Sequence, residues 1–162
     1  MPLPPKSTPA AAQDDNDVSE DGDLSDMLSE QRILLPGAQM LTAFLVLLPF
    51  NGTFAEIIRT EKFVFLATFF FSLSSLILLS APAVQHRLMR PLTDRVRFKR
   101  FASTQIVIGS CTLACAFILA SDLVISQVFG ATAGIAAGAV MGLLIVCLWW
   151  ILPYYLKRVR GF

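Results

Sequence analysis

The chain offers few residues with chemistry of their own, and they do not form a catalytic set. His86 is the sole histidine. It stands beside Arg87 with no second histidine or close carboxylate, so neither a metal site nor a proton relay is spelled out. Asp122 is the only carboxylate within an apolar block. An acid at membrane depth is a functional candidate by default. Counting from Phe101 at ~1.5 Å per residue, however, places it some ~30 Å along a helix, at the far surface. Gln39 is a second buried-polar candidate, readily satisfied by a neighbouring hydroxyl. Cys111, Cys115 and Cys147 lie in apolar blocks without CxxC or Cys/His spacing, so they read as packing residues. There is no phosphate loop, HExxH, GxSxG or carboxylate pair. The chain reads as a non-enzyme with no cofactor and no metal.

The sharpest pattern is structural. Gly130, Gly134, Gly138 and Gly142 recur every fourth residue, with Ala133 and Ala137 alongside. Four-residue spacing puts such glycines on one helix face, where missing side chains let a second backbone approach. Either the preceding helix or a second copy of the chain can supply that backbone. Leucine at Gly134 or Gly138 is expected to push the partner away, and alanine at Gly134 to do so less.

These residues need elements to hold them. The chain has 162 residues and is 55% apolar, above the ~45–50% of soluble domains. The excess falls in four blocks, each near the ~20 residues needed to cross hydrocarbon. The predicted crossings are residues 34–50, 63–83, 102–125 and 131–152. Pro36-Gly37 lies at the entry of the first, and Pro49-Phe50-Asn51-Gly52 ends it. In the second, Thr68, Ser72 and Ser75 share a narrow hydroxyl face that should look inward. Between Asp122 and Lys157 lie 34 uncharged residues, too many for one crossing, so a reversal is predicted at Ser126–Gly130. Trp149, Trp150, Tyr154 and Tyr155 form an interfacial belt. The predicted architecture is all-α, with four transmembrane helices in two hairpins.

Charge sets the orientation. Residues 1–32 carry eight acids and two bases. Residues 1–23, Pro-rich and then acidic, read as a disordered cytoplasmic tail rather than a signal peptide. An amphipathic lead-in is predicted over residues 23–35. Between the second and third blocks, residues 85–100 hold six bases against one acid. A short basic tail, residues 157–162, closes the chain. With four crossings, eleven of the thirteen Lys/Arg fall on one side and only Arg59 and Lys62 on the other. Bases stay cytoplasmic, so both termini are placed inside. Arg87, Arg90, Arg95, Arg97, Lys99, Arg100, Lys157, Arg158 and Arg160 are assigned to orientation and to anionic lipid headgroups. Nucleic-acid binding is not expected of a basic stretch pinned between two crossings. The acidic tail is expected to compete with anionic lipid for these bases.

Leu35-Pro36-Gly37-Ala38-Gln39, Phe44-Leu45, Pro49-Phe50 and Phe54, followed by Ala81-Pro82-Ala83-Val84-Gln85-His86-Arg87, resemble the landmarks of a family of small bacterial integral membrane proteins known as a domain of unknown function. The resemblance runs over residues 30–143, and the acidic tail before Asp23 looks longer than the pattern requires. It marks Pro36, Gly37, Gln39, Pro49, Phe50, Pro82, His86 and Arg87 as motif positions and implies a four-helix protein of a bacterial plasma membrane. It implies no activity. The function expected is that of a scaffold, accessory or envelope-stress component, acting through helix packing and charged cytoplasmic segments. A small oligomeric transporter or channel is the alternative.

Overall fold

A computed structural model describes Ser29 and residues 32–50, 52, 59–89 and 95–160. The acidic tail, nearly all of the amphipathic lead-in and the centres of the first two connectors lie outside these residues. The described chain is helical. Helix α1 spans Arg32–Phe50, its last turn tightening to 3₁₀ at Leu48–Phe50. Helix α2 spans Arg59–Leu88, α3 Arg95–Phe129 and α4 Ala131–Val146, and α5 continues α4 over Leu152–Arg160. Four spans are long and apolar enough to cross a membrane, the last running through α4 and α5 as Ala131–Val159.

These helices outrun the predicted crossings because their polar flanks stay helical. Arg59–Lys62 opens α2 and Arg95–Arg100 opens α3. Pro36 and Gly37 sit inside α1 rather than at its start. So close to a helix entry, the bond that Pro36 cannot donate costs little.

Each helix buries one narrow stripe. On α1 it is Ala38, Thr42 and Leu45, and on α2 it is Thr68, Ser72, Ser75, Leu79 and Pro82. On α3 it includes Phe98, Ala102, Leu113, Ala116 and Leu123. Alternating steps of three and four keep a stripe on one face, as in left-handed bundles. Ala38, Leu79 and Leu113 meet in one cluster that joins α1, α2 and α3. On α4 the buried residues are Gly134 and Gly138 alone. That helix leans on α3 and leaves most of its remaining surface exposed.

The reversal between α3 and α4 is tighter than the predicted Ser126–Gly130 turn. Helix α3 runs on through Phe129, and Gly130 alone breaks it. Its φ of 91° and ψ of 166° lie where essentially only glycine goes. Its N–H donates to the Ser126 carbonyl at 2.9 Å, while its carbonyl accepts from the N–H groups of Ala133 and Gly134 at 3.1 Å. A side chain at Gly130 would meet nothing within 4 Å. Assigning it to the packing face is therefore corrected: its job is the turn.

Between α4 and α5 the backbone widens into a π segment, Cys147–Ile151, whose cap Leu152 donates its N–H to the Cys147 carbonyl. Pro153 follows at once. Its ring leaves the Trp149 carbonyl without a helical donor and crowds it, and a wide turn absorbs that strain without ending the rod. The basic end of the chain is thus helical through Arg160.

Gly130→Ala keeps the space but not the backbone freedom. The expected outcome is a loss of about 1–3 kcal/mol in detergent unfolding, with helix content by circular dichroism unchanged.

Candidate functional site

Two places in the bundle bring the candidate residues together: the seam between α3 and α4, and the end of the bundle where α2 meets α3.

At the seam, backbone meets backbone. A methyl group at Gly134 would stand 2.7 Å from Ser126 Cβ, 2.8 Å from the Asp122 carbonyl oxygen and 2.9 Å from Asp122 Oδ1. At Gly138 the nearest atom would be the Ile118 carbonyl oxygen at 3.4 Å, and at Gly142 Ile118 Cδ1 at 3.4 Å. The glycines therefore face Ile118, Asp122 and Ser126 of their own chain, and the approach tightens toward the turn. Asp122, half-buried, lies in this seam. It is seven residues, about 10 Å, below the end of α3. An apolar groove of about 660 Å³ runs along α3 and α4, with Phe117, Val124, Val140 and Met141 among its walls. A second, of about 240 Å³, lies between α1 and α3 beside Phe44, Leu45 and Leu48. Ala120 and Val124 line both.

The geometry shows that even alanine at Gly134 is strained. A methyl there meets a backbone carbonyl below 3.0 Å, which no side-chain rotation relieves. Gly134→Ala should lower the unfolding temperature in detergent. Gly138→Ala should leave it level or raise it, because its methyl fits and a helical glycine costs about 0.8–1.0 kcal/mol relative to alanine. Equal effects at the two positions would contradict the seam.

Between α1 and α2 the contact is polar. Thr42 donates its hydroxyl to the Ala38 carbonyl at 2.7 Å, which leaves Ser72 to donate to Thr42 Oγ1 across the helices, also at 2.7 Å. Ser75 returns its proton to the Ser72 carbonyl at 2.8 Å, and Thr68 to the Val64 carbonyl at 2.7 Å. Thr68, Ser72 and Ser75 are fully buried, so the hydroxyl face does look inward. Its partner Thr42 could not be named from sequence, since no local pattern links residues thirty apart. Ser72→Ala should cost about 0.6 kcal/mol, the usual worth of an interhelical hydrogen bond in a membrane. Ser72→Leu, which wedges the helices apart, should cost several times more by the same unfolding assay.

Gly109 was also missed, an isolated glycine with no repeat to flag it. A Cβ there would press Leu79 at 3.1 Å, so α2 and α3 approach closely too. At one end of this pair Gln127 donates to Glu61 Oε2 at 2.6 Å. At the other, the His86 ring lies over Phe98 with centroids 5.9 Å apart.

That second end gathers the bases. Arg87, Arg97 and Arg100 are exposed there, and Lys99 is half-buried. Helix α5 brings exposed Lys157 and Arg158 to the same end. Arg90 and the side chains of Arg95 and Arg160 lie outside the described set. Of the motif positions, Pro82 is buried and His86 half-buried. Pro36, Gly37, Gln39, Pro49, Phe50 and Arg87 are exposed. Gln39 as an inward-facing polar group is thus corrected, since the buried polar residue of α1 is Thr42, three positions on. Among the described residues no group of His, Cys, Asp or Glu could hold a metal ion.

No curated protein and no solved structure matches the chain. A family model does, over residues 14–153, and so takes in the acidic segment from Asp14 that the motif reading had set outside the pattern. The chain therefore belongs to DUF6328, a family of unknown function.

Proposed function

We propose that this is a non-enzymatic membrane protein of a bacterial plasma membrane, with both termini in the cytoplasm. It serves as a scaffold or accessory component that holds anionic lipid headgroups at its basic end. The observation that carries the reading is the one-ended charge of the bundle. Arg87, Arg97, Lys99, Arg100, Lys157 and Arg158 share one end, while the opposite end has Arg59 and Lys62 beside Glu61. Bases near an anionic surface are worth about 1 kcal/mol each, and their side of the membrane is the cytoplasm. The small-residue seams supply the packing on which such a component would rest.

A transporter or channel would gain support from a polar cavity around Gln39 or Asp122. The two grooves described are apolar except for Ser121 and Gln127, and neither contains those residues.

The orientation is tested in a chain whose three cysteines are replaced by alanine. A cysteine at Thr53 is expected to react with an impermeant thiol reagent outside sealed cells, and one at Thr93 is not. Labelling at Thr93 would overturn it. The headgroup contact is tested by native mass spectrometry. The parent should retain anionic phospholipid in preference to zwitterionic, and the Arg87→Gln/Arg97→Gln/Lys99→Gln/Arg100→Gln chain should lose that preference.

A further inference from the structure

We propose that the acidic segment of this chain, residues 14–30, docks on the basic end of its own bundle and is displaced from it by anionic lipid headgroups. The second half rests on the headgroup reading above. The first half rests on geometry and charge alone.

The geometry comes from how α1 is seated. Thr42 pairs with Ser72 on antiparallel α2. Ten residues back from Thr42 is Arg32, and ten forward from Ser72 is Pro82, so equal rise places these two at one level. His86 is four residues further along α2, a step of about 6 Å. The Ala38, Leu79 and Leu113 cluster holds α3 against both helices. Arg32 therefore lies at the end of the bundle that holds His86, not at the end that holds Arg59 and Lys62.

Charge supplies the attraction. Residues 14–30 carry eight acids and no base, and residues 85–100 carry six bases and one acid. The segment ends only two residues before Arg32, and its middle, residue 22, precedes Arg32 by ten. A chain of ten residues reaches at most about 36 Å. Its effective concentration at the basic end is then of millimolar order. Opposite charges held so close associate at moderate ionic strength and part as the screening length shrinks. The bases are the same ones that anionic headgroups would take, so the two ligands exclude each other. Phosphate surface and carboxylate segment thus compete for one set of guanidinium and ammonium groups, which makes the exposure of the basic end depend on local lipid composition.

The experiment uses the full chain with its three cysteines replaced by alanine and spin labels at Ser19→Cys and Val96→Cys. Val96 is exposed in the first turn of α3 and carries no charge. Distances are read by pulsed electron resonance in phosphatidylcholine vesicles, diluted with excess unlabelled chain. The expected result is a narrow, short component. It should be lost in about 1 M salt, where the screening length falls to ~3 Å. It should also be lost when the eight acids are changed to their amides. A distribution indifferent to the amide changes would overturn the proposal. So would a short component that vanishes on dilution, which would place the contact between copies. In phosphatidylglycerol vesicles the short component should fall by at least half. If it persists there while still responding to salt and to the amides, the intrachain contact stands and the headgroup competition is overturned.

Discussion

In hydrocarbon an apolar side chain gains little by turning from lipid to protein, so this bundle depends on how closely its backbones approach. Dispersion, hydroxyl bonds and weak Cα–H···O contacts act at that range. The chain meets the condition three times, by different means. Along α1 and α2 the small residues are hydroxylic, and Thr42 and Ser72 bridge the gap. Between α2 and α3 a single glycine, Gly109, admits Leu79. Between α3 and α4 the glycines face the α3 backbone, and at Gly134 the space left is too small for a methyl group. Fully buried large side chains are correspondingly few among the described residues, with Leu45, Leu79 and Leu113 the main ones.

The seams differ in geometry as well as in chemistry. Stripes on α1 to α3 step by three and four, the spacing of left-handed packing. The α4 glycines step by four only, which drifts around the helix and suits a right-handed crossing. A helix attached by such a seam diverges from its neighbour with distance from the tightest point. The nearest atom to an added Cβ lies at 2.7 Å for Gly134 and at 3.4 Å for both Gly138 and Gly142. Apolar grooves flank the shared Ala120 and Val124 surface of α3, as a bundle with a leaning fourth helix requires.

Much of this was legible because membranes write in a coarse alphabet. Four apolar blocks, a hydroxyl face at Thr68, Ser72 and Ser75, and a glycine repeat are all local patterns, and local periodicity survives into the fold. Three kinds of feature were not legible. Pairings across long separations, such as Thr42 with Ser72 or Gln127 with Glu61, leave no local trace. Helix bounds were drawn too short, because hydropathy marks where hydrocarbon would end while helical hydrogen bonding continues through charged flanks. Gly130 was merged with its neighbours because spacing alone cannot separate a glycine needed for backbone conformation from one needed for clearance. Only its positive φ, and the empty space where a Cβ would stand, make the distinction. Pro153 shows the same limit from the other side: the predicted crossing stops just before it, yet a π turn carries the helix past it.

The two ends of the bundle are built for different tasks. Where α3 turns into α4, the chain reverses on one glycine, and the neutral Gln127 meets the carboxylate of Glu61, a charge-assisted bond that fixes α2 against α3. Among the described residues there, Arg59 and Lys62 stand beside Glu61. At the other end an aromatic contact, His86 over Phe98, does the fixing instead. Because Phe98 is buried while Arg97 and Arg100 on either side of it are exposed, the first turns of α3 present an apolar face to α2 and a basic face outward. A helix that alternates in this way packs on its neighbour through its apolar face while its charged face points outward. The α3 N-terminus adds its partial positive charge to the same face. At both ends, then, α2 is fixed against α3 by a contact with an uncharged partner, Gln127 at one and Phe98 at the other.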